Sequence, residues 1–307
     1  MILLSKINEA LRILSLMSTI WIGPSLLFHL LSYTSIGELF SSQTVSFLTI
    51  VFFVILLSNI MAIFFKFERD FLYKHNTERR NLIVILIIAR LLLFQVESIG
   101  SLTGVLAGIA GTTSLILFSC LLGSYLSQAI KRFAELIPVC SVAFTVDLYS
   151  VLKGPSKEIA IQIGDFYGGG AIGPVPYVDI ILLKIANPAT NHLIPIFGVS
   201  DWIFVVFITS TMQKFKISDS IIGKDINNVV NAQNMQFYFP LVSFALLVSI
   251  FTAYLFNVFI PALPVMIMIV LPWVIIKNRN LFQWKATDFC LTLVPPVLAI
   301  IIFCFTN

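Results

Sequence analysis

Two apolar stretches, LIPVCSVAFTVDLYSVL (residues 136–152) and LIPIFGVSDWIFVVFI (residues 193–208), each carry one aspartate. Asp147 lies in the first stretch and Asp201 in the second. An ionised side chain in the centre of a bilayer costs about 2.5–3.5 kcal/mol or more, so an acid in such a segment indicates a functional site with a partner. Each of these aspartates is the obvious partner of the other.

The composition is that of a polytopic membrane protein. Of the 307 residues, 58% are hydrophobic and only 11% are charged, whereas soluble domains carry about 25% charged residues. A spanning helix needs about 20 mostly apolar residues. By that measure the sequence predicts an all-α fold of about nine transmembrane helices, near residues 11–33, 45–65, 81–97, 101–127, 133–152, 193–213, 236–257, 261–276 and 287–305.

The apolar segments follow one another without a hydrophilic block long enough for a second domain. The sequence therefore predicts one membrane domain over residues 1–307, in three parts. Residues 1–132 hold the N-terminal helices, residues 133–213 hold the two aspartate helices with a connecting loop at 153–192, and residues 214–307 hold the C-terminal helices. The apolar run that follows Lys6 and Arg12 continues without a cleavage-like site, so we interpret it as a retained first helix rather than a signal peptide.

The basic residues predict the orientation of these helices, because lysine and arginine accumulate in cytoplasmic loops. If odd-numbered helices run from inside to outside, 15 of the 19 basic residues lie on the inner side. These are Lys6, Arg12, Lys66, Arg69, Lys74, Arg79, Arg80, Lys131, Arg132, Lys214, Lys216, Lys224, Lys277, Arg279 and Lys285. We therefore expect a multi-pass protein with a cytoplasmic N-terminus, which in a prokaryote would lie in the cell membrane.

The four cysteines and three histidines are scattered, without a CxxC pair. This spacing favours buried, inert thiols over a disulfide framework or a zinc site. The net charge of +4 comes from short loops beside helix ends, which does not indicate nucleic-acid binding. We expect no metal and no cofactor, and the expected partners are the lipid bilayer and membrane-embedded substrates. The oligomeric state is left open.

The long connection between the aspartate helices contains GDFYGGGAIGPVP at residues 164–176. Glycine and proline at this density favour a loop over a helix. The flanking runs EIAIQI (158–163) and YVDIILLKI (177–185) are rich in β-branched residues and predict strands. Two interpretations of the connection are open, a flexible linker and a substrate-facing element that orders on binding.

Three separated features converge at one depth of the predicted bundle. Asp147 lies about five residues and Asp201 about eight residues from the loop end of its predicted helix, or about 7 and 12 Å at the rise of an α-helix. The motif PALP, at residues 261–264, begins its predicted helix on the same side. Pro261 and Pro264 lack N–H donors and can leave neighbouring carbonyls free. Gly198 and Ser200 are small residues, so the second predicted helix is narrow beside Asp201.

This arrangement predicts acid–base chemistry. Two carboxyls a few Å apart do not both ionise easily, so the pair shares a proton over a broad pH range. The ionised carboxyl can take a proton from water while the protonated carboxyl polarises a carbonyl group. A substrate helix must unwind locally, after which its extended backbone could pair with nearby backbone as an added strand.

The three motifs resemble those of the presenilin and signal peptide peptidase family of intramembrane aspartyl proteases. VDLYSVLKGP (146–155) is similar to the segment around the first catalytic aspartate, FGVSDWIFVVF (197–207) to the glycine-x-glycine-aspartate segment, and IPALPV (260–265) to the PAL motif. The resemblance covers about a fifth of the chain. It implies a microbial presenilin-like homologue, with Asp147 and Asp201 as the catalytic pair and with Pro261, Ala262 and Leu263 shaping the site.

This chain departs from the family pattern in three ways. Val146 stands where the family usually has tyrosine, and Ser200 replaces the second glycine of the second motif. The aspartates fall on the fifth and sixth predicted helices, whereas the family places them on the sixth and seventh. The connecting loop is predicted to lie outside, which favours the arrangement of signal peptide peptidases and substrates of type II direction.

Several alternatives remain open. A proton-coupled transporter or channel would also use paired intramembrane acids, with Asp147 and Asp201 as a proton relay. Arg90, in the middle of an apolar run, could neutralise an acid in the bundle, pair with Glu97, or mark a misplaced helix end. Gly104 and Gly108 form a small-xxx-small pattern that favours helix packing.

Overall fold

The computed structural model describes residues 2–34, 43–72, 76–97, 102–171, 175–232, 236–256, 260–278 and 285–305. The chain is mostly helical, as predicted. The first four helices are α1 (Ile2–Leu31), α2 (Gln43–Phe67), α3 (Asn76–Glu97) and α4 (Leu102–Ser127). They are followed by α5 (Leu136–Lys153), α6 (Pro155–Gly168), α7 (Val199–Lys214) and α8 (Ile226–Asn231), then by α9 (Leu241–Phe256), α10 (Ala262–Lys277) and α11 (Ala286–Phe305).

Four segments of the described chain are long and apolar enough to cross a membrane. They are Arg12–Leu31, Thr44–Asp70, Leu102–Ser127 and Phe133–Lys153. Leu241–Phe256 and Ala262–Lys277 are shorter apolar helices. The predicted membrane character is thus supported by several helices, while the number of nine spans stays a prediction.

Helix α4 is the central packing surface, because α3 lies along one of its sides and α7 along another. Glycines make these close approaches possible. A Cβ added at Gly104 would lie 2.9 Å from the backbone oxygen of Glu97, and one added at Gly108 would lie 2.9 Å from the Glu97 carboxylate. Gly123 lies against α7, where an added Cβ would be 2.7 Å from the backbone oxygen of Ile203. The prediction that Gly104 and Gly108 serve helix packing is confirmed.

Two small antiparallel sheets accompany the helices. Strand β1 (Leu182–Ala186) pairs with β2 (Leu193–Gly198), and β3 (Ser220–Gly223) pairs with β4 (Tyr238–Pro240). The expected helix over 193–213 is therefore wrong in its first third, because residues 193–198 form a strand. The expected helix over 236–257 likewise begins later, at Leu241. In both places an apolar run is compatible with either structure, and pairing with a neighbouring strand decides between them.

The loop predicted at 153–192 contains a helix. The run EIAIQI, predicted to be a strand, lies within α6, so that prediction is wrong. Pro155 occupies the start of α6, a position that suits its fixed φ and its missing N–H. The second predicted strand is correct in its latter half, since β1 begins at Leu182 after a 3₁₀ turn over Tyr177–Ile181. Residues 172–174 of the glycine-rich stretch lie outside the described residues.

Helix α5 is joined to α11 at its beginning. The Arg132 guanidinium donates to both carboxylate oxygens of Asp288, at 3.0 and 2.9 Å. Farther along α5, the Ser141 hydroxyl donates to the backbone oxygen of Thr292 at 2.6 Å. Val142, Val146 and Tyr149 are exposed on another face of α5, so the helix packs its polar groups inward and presents apolar side chains outward.

We expect Gly123→Ala to lower the free energy of unfolding by about 1–3 kcal/mol, because the new methyl group would push α7 away from α4. The stability measured in detergent micelles would report the change. Gly23→Ala is a matched control, since a Cβ at Gly23 in α1 meets nothing within 4 Å and alanine favours a helix by up to about 1 kcal/mol. Equal effects of the two substitutions would contradict close packing at Gly123.

Candidate active site

Asp147 lies in the last two turns of α5, with its side chain half-buried. One oxygen of its carboxylate, Oδ2, accepts a hydrogen bond from the backbone N–H of Leu263 at 3.1 Å. These residues are 116 positions apart in sequence. The structure therefore brings the first aspartate to the PALP motif, as the sequence predicted.

The PALP motif forms the N-terminus of α10. Pro261 is the residue that caps the helix, with an extended backbone (φ −63°, ψ 125°), and Ala262 is the first helical residue. Leu263 lies in the first turn, where backbone N–H groups lack a partner within the helix. Its N–H is thus available to the Asp147 carboxylate. Pro264, the next residue, has no N–H and is buried.

Asp201 is the third residue of α7. Its Oδ2 accepts a hydrogen bond from the backbone N–H of Gly198 at 3.1 Å, so its side chain caps its own helix. The sequence places Asp201 about eight residues from the loop end of its helix. That prediction is wrong, because β2 replaces the first turns of the predicted helix. A Cβ added at Gly198 would lie 3.6 Å from Asp201 Oδ2, which is an ordinary contact, so the Asp201 carboxylate does not require a glycine there. Ser200 is exposed next to it, with its Oγ 3.3 Å from the same added Cβ position.

Helix α10 contacts both α5 and α7 and so connects the two aspartate helices. Each carboxyl accepts one backbone N–H through Oδ2. Because these bonds use one oxygen of each side chain, the other oxygen can act on water or on a substrate carbonyl.

The strand that leads into Asp201 is held by its neighbours. In β1, every residue is buried, and the strand lies against α4 and α1. In β2, Ile194, Pro195 and Ile196 are half-buried. The pairing slips between Leu183 and Lys184, which leaves Ile196 as the extra residue of a β-bulge. Bulges occur often next to active sites, where they redirect the chain.

A buried cluster of charges fixes β1, and only its Arg90–Glu97 pair is among the interpretations that the sequence leaves open. Lys184, only 3% exposed, forms ion pairs with Glu97 and with Asp179. Glu97 also pairs with Arg90 at 3.0 Å, so pairing between Arg90 and Glu97, one of the three open interpretations, is the observed one. Nothing in the sequence context of Lys184 distinguishes a buried lysine from a solvated one.

The same cluster extends to α6. Arg90 donates to the backbone oxygens of Ile180 and Asp179, both at 2.8 Å, and the Tyr167 hydroxyl donates to the Asp179 carboxylate at 2.9 Å. Burial, reinforced by the negative charge of Asp179, raises the pKa of Tyr167, so its hydroxyl stays protonated and remains a donor. The cluster thus joins α3, α6, the 3₁₀ turn and β1.

Within the described residues no group of three or more histidine, cysteine, aspartate or glutamate side chains is arranged to hold a metal ion. Comparisons of the chain with family models, with curated proteins and with solved structures find no match. The geometry of the two aspartates and the PALP motif therefore has to be interpreted from the residues themselves.

We expect Lys184→Met to lower the free energy of unfolding by about 3–5 kcal/mol, because it leaves two buried carboxylates without their shared cation. Lys224→Met, at an exposed lysine, removes the same charge and should change stability by less than about 0.5 kcal/mol. Thermal unfolding of both variants in one detergent would test the difference. Similar stabilities would show that the cluster does not stabilise the fold.

Proposed function

We propose that this chain is an intramembrane aspartyl protease that hydrolyses peptide bonds within transmembrane helices of membrane-protein or signal-peptide substrates. The observation that carries the proposal is the approach of three motifs distant in sequence. The N–H of Leu263 in PALP binds Asp147, and α10, which begins at PALP, also contacts the helix that carries Asp201. The resemblance of the same three motifs to presenilins and signal peptide peptidases supports it independently.

In the proposed reaction, the ionised carboxyl of the pair removes a proton from a water molecule, which attacks the scissile carbonyl carbon. The protonated carboxyl donates its proton to the carbonyl oxygen as the tetrahedral intermediate forms. On collapse of the intermediate the C–N bond breaks, and the leaving nitrogen takes a proton from the carboxyl that received one from water. The other carboxyl, now ionised, takes a proton from a hydroxyl of the intermediate, so the pair ends with one proton, as it began. Because each aspartate already accepts one backbone N–H through Oδ2, these bonds hold both side chains in place for this exchange.

Strand β2 offers a binding edge for the unwound substrate. One of its edges pairs with β1, and the strand ends at Gly198, three residues before Asp201. A substrate segment that adds to the other edge would be held by backbone hydrogen bonds, irrespective of its side chains. Such a segment would reach the two carboxyls in the extended form that hydrolysis requires.

The proposed membrane arrangement is a bundle of about nine spans. The four long apolar segments and the shorter helices α9 and α10 support it. With a cytoplasmic N-terminus, the aspartate site and the α6 connection would face the outer side. That arrangement corresponds to signal peptide peptidases and favours substrates of type II direction.

We expect Asp147→Asn and Asp201→Asn each to reduce cleavage of a model transmembrane substrate in liposomes by at least about 100-fold, because each removes half of the acid–base pair. Asp165→Asn, at an exposed acid of α6, is the control and should keep full activity. If the parent protein cleaves no substrate of either orientation but conducts protons, and both asparagine variants abolish that conduction, the proton-relay alternative is correct instead.

We also expect Leu263→Pro to reduce cleavage by about tenfold or more, because proline removes the N–H that holds Asp147. Two control variants separate the loss of the N–H from a disturbed helix start and from the loss of the leucine side chain. Ala262→Pro places proline at the first helical position, where it is tolerated, and Leu263→Ala shortens the side chain but keeps the N–H. An activity loss in Leu263→Ala as large as in Leu263→Pro would assign the effect to the side chain and not to the hydrogen bond.

A further inference from the structure

A cavity of about 270 Å³ lies between the beginning of α3 and the end of α4. Its lining residues are Thr77, Arg79, Arg80, Ile83 and Tyr125. The predicted inner face of the membrane lies at this level, since basic residues are concentrated on this side of the chain. None of the five lining residues is acidic, and four of them can donate hydrogen bonds.

These donors have few partners within the protein. Arg79, 1% exposed, pairs with Glu68 through Nη2, but its Nε is buried without an acceptor. In the described part of the chain, no hydrogen bond or ion pair engages the hydroxyl of Thr77, the guanidinium of Arg80 or the hydroxyl of Tyr125. Both terminal nitrogens of Arg79 also reach the Gln128 amide oxygen, so only its Nε lacks an acceptor. The cavity is therefore lined by three side chains with unused donors and by two cations, of which Arg79 is paired with a neighbouring carboxylate.

The backbone adds to this preference for an anion. Thr77 and Arg79 belong to the first turn of α3, a helix of 22 residues. The N–H groups of a first turn have no partner within the helix, and the helix dipole favours negative charge there. A phosphate group, with its several acceptor oxygens, matches this set of side-chain and backbone donors better than a carboxylate, which has only two oxygens.

The surroundings of the cavity indicate what the phosphate belongs to. Ile83 is apolar, and farther along α3, away from the basic rim, Val84 and Ile87 are 49% and 43% exposed. Tyr125 is 48% exposed at the end of α4, and tyrosine is enriched at interfaces between membrane and water. A ligand with its phosphate among the donors could therefore lay hydrocarbon chains along the apolar face of α3.

We propose that this cavity binds the phosphate of an anionic phospholipid from the leaflet on the basic side of the membrane. The binding ties α3 to α4 at their shared end and does not depend on the protease activity. Zwitterionic headgroups are disfavoured, because the lining provides no carboxylate to pair with their cation.

The test is a titration of phosphatidylglycerol into neutral-detergent micelles of the purified chain, with the midpoint of thermal unfolding as the readout. We expect the midpoint to rise, and we expect Arg80→Gln to weaken the apparent affinity by about tenfold or more through loss of a charged donor. Thr77→Val should weaken it less. Lys131→Gln is the matched control, since it removes one exposed cation from the same side outside the cavity.

Three results would overturn the proposal. Equal losses in Arg80→Gln and Lys131→Gln would indicate diffuse attraction to surface charge. Equal stabilisation by phosphatidylcholine would remove the preference for an anionic headgroup. Equal stabilisation by inorganic phosphate, without lipid, would assign the cavity to free phosphate and not to a membrane lipid.

Discussion

The pairing of charges inside an apolar bundle is the constraint on which the rest of this structure depends. Arg90 and Glu97 come from α3, Asp179 from the 3₁₀ turn and Lys184 from β1. Each of these charges would be costly to bury alone. Together they form a neutral cluster against α4, whose glycines leave room for the Arg90 and Glu97 side chains. The cluster fixes β1, and β1 in turn fixes the strand that leads into Asp201.

The candidate site follows from that scaffold. Strand β2 ends at Gly198, where α7 begins, and the Asp201 side chain caps the helix through the Gly198 N–H. From the other side, α10 begins at the PALP motif and offers the Leu263 N–H to Asp147. Both aspartates are thus held at helix N-termini, where donors are available because a helix cannot satisfy its own first N–H groups. The basic cavity beside the end of α4 uses the same property at the N-terminus of α3.

Much of the site was predictable because the residues that define it can be recognised from the local sequence. A carboxylate within an apolar run, or a proline pair at a helix start, stands out whatever surrounds it, so Asp147, Asp201 and Leu263 were all identified. Other features were not predictable. The run EIAIQI is compatible with both a strand and a helix. Pro155 at the start of α6 and the packing of that helix are what make the run helical. The β1–β2 pairing likewise depends on a partner strand that local patterns do not specify.

The sequence by itself determined the mostly helical class, the apolar helices, the packing role of Gly104 and Gly108, and the residues that carry the proposed chemistry. These depend on composition, spacing and residue type, which act within one or two turns of the chain. Only the tertiary structure decided that Asp201 lies in the first turn of its helix, that Lys184 is buried between two acids, and that Leu263 binds Asp147 across 116 residues. Each of these depends on a partner far away in sequence, whose position is set by the packing of the whole chain.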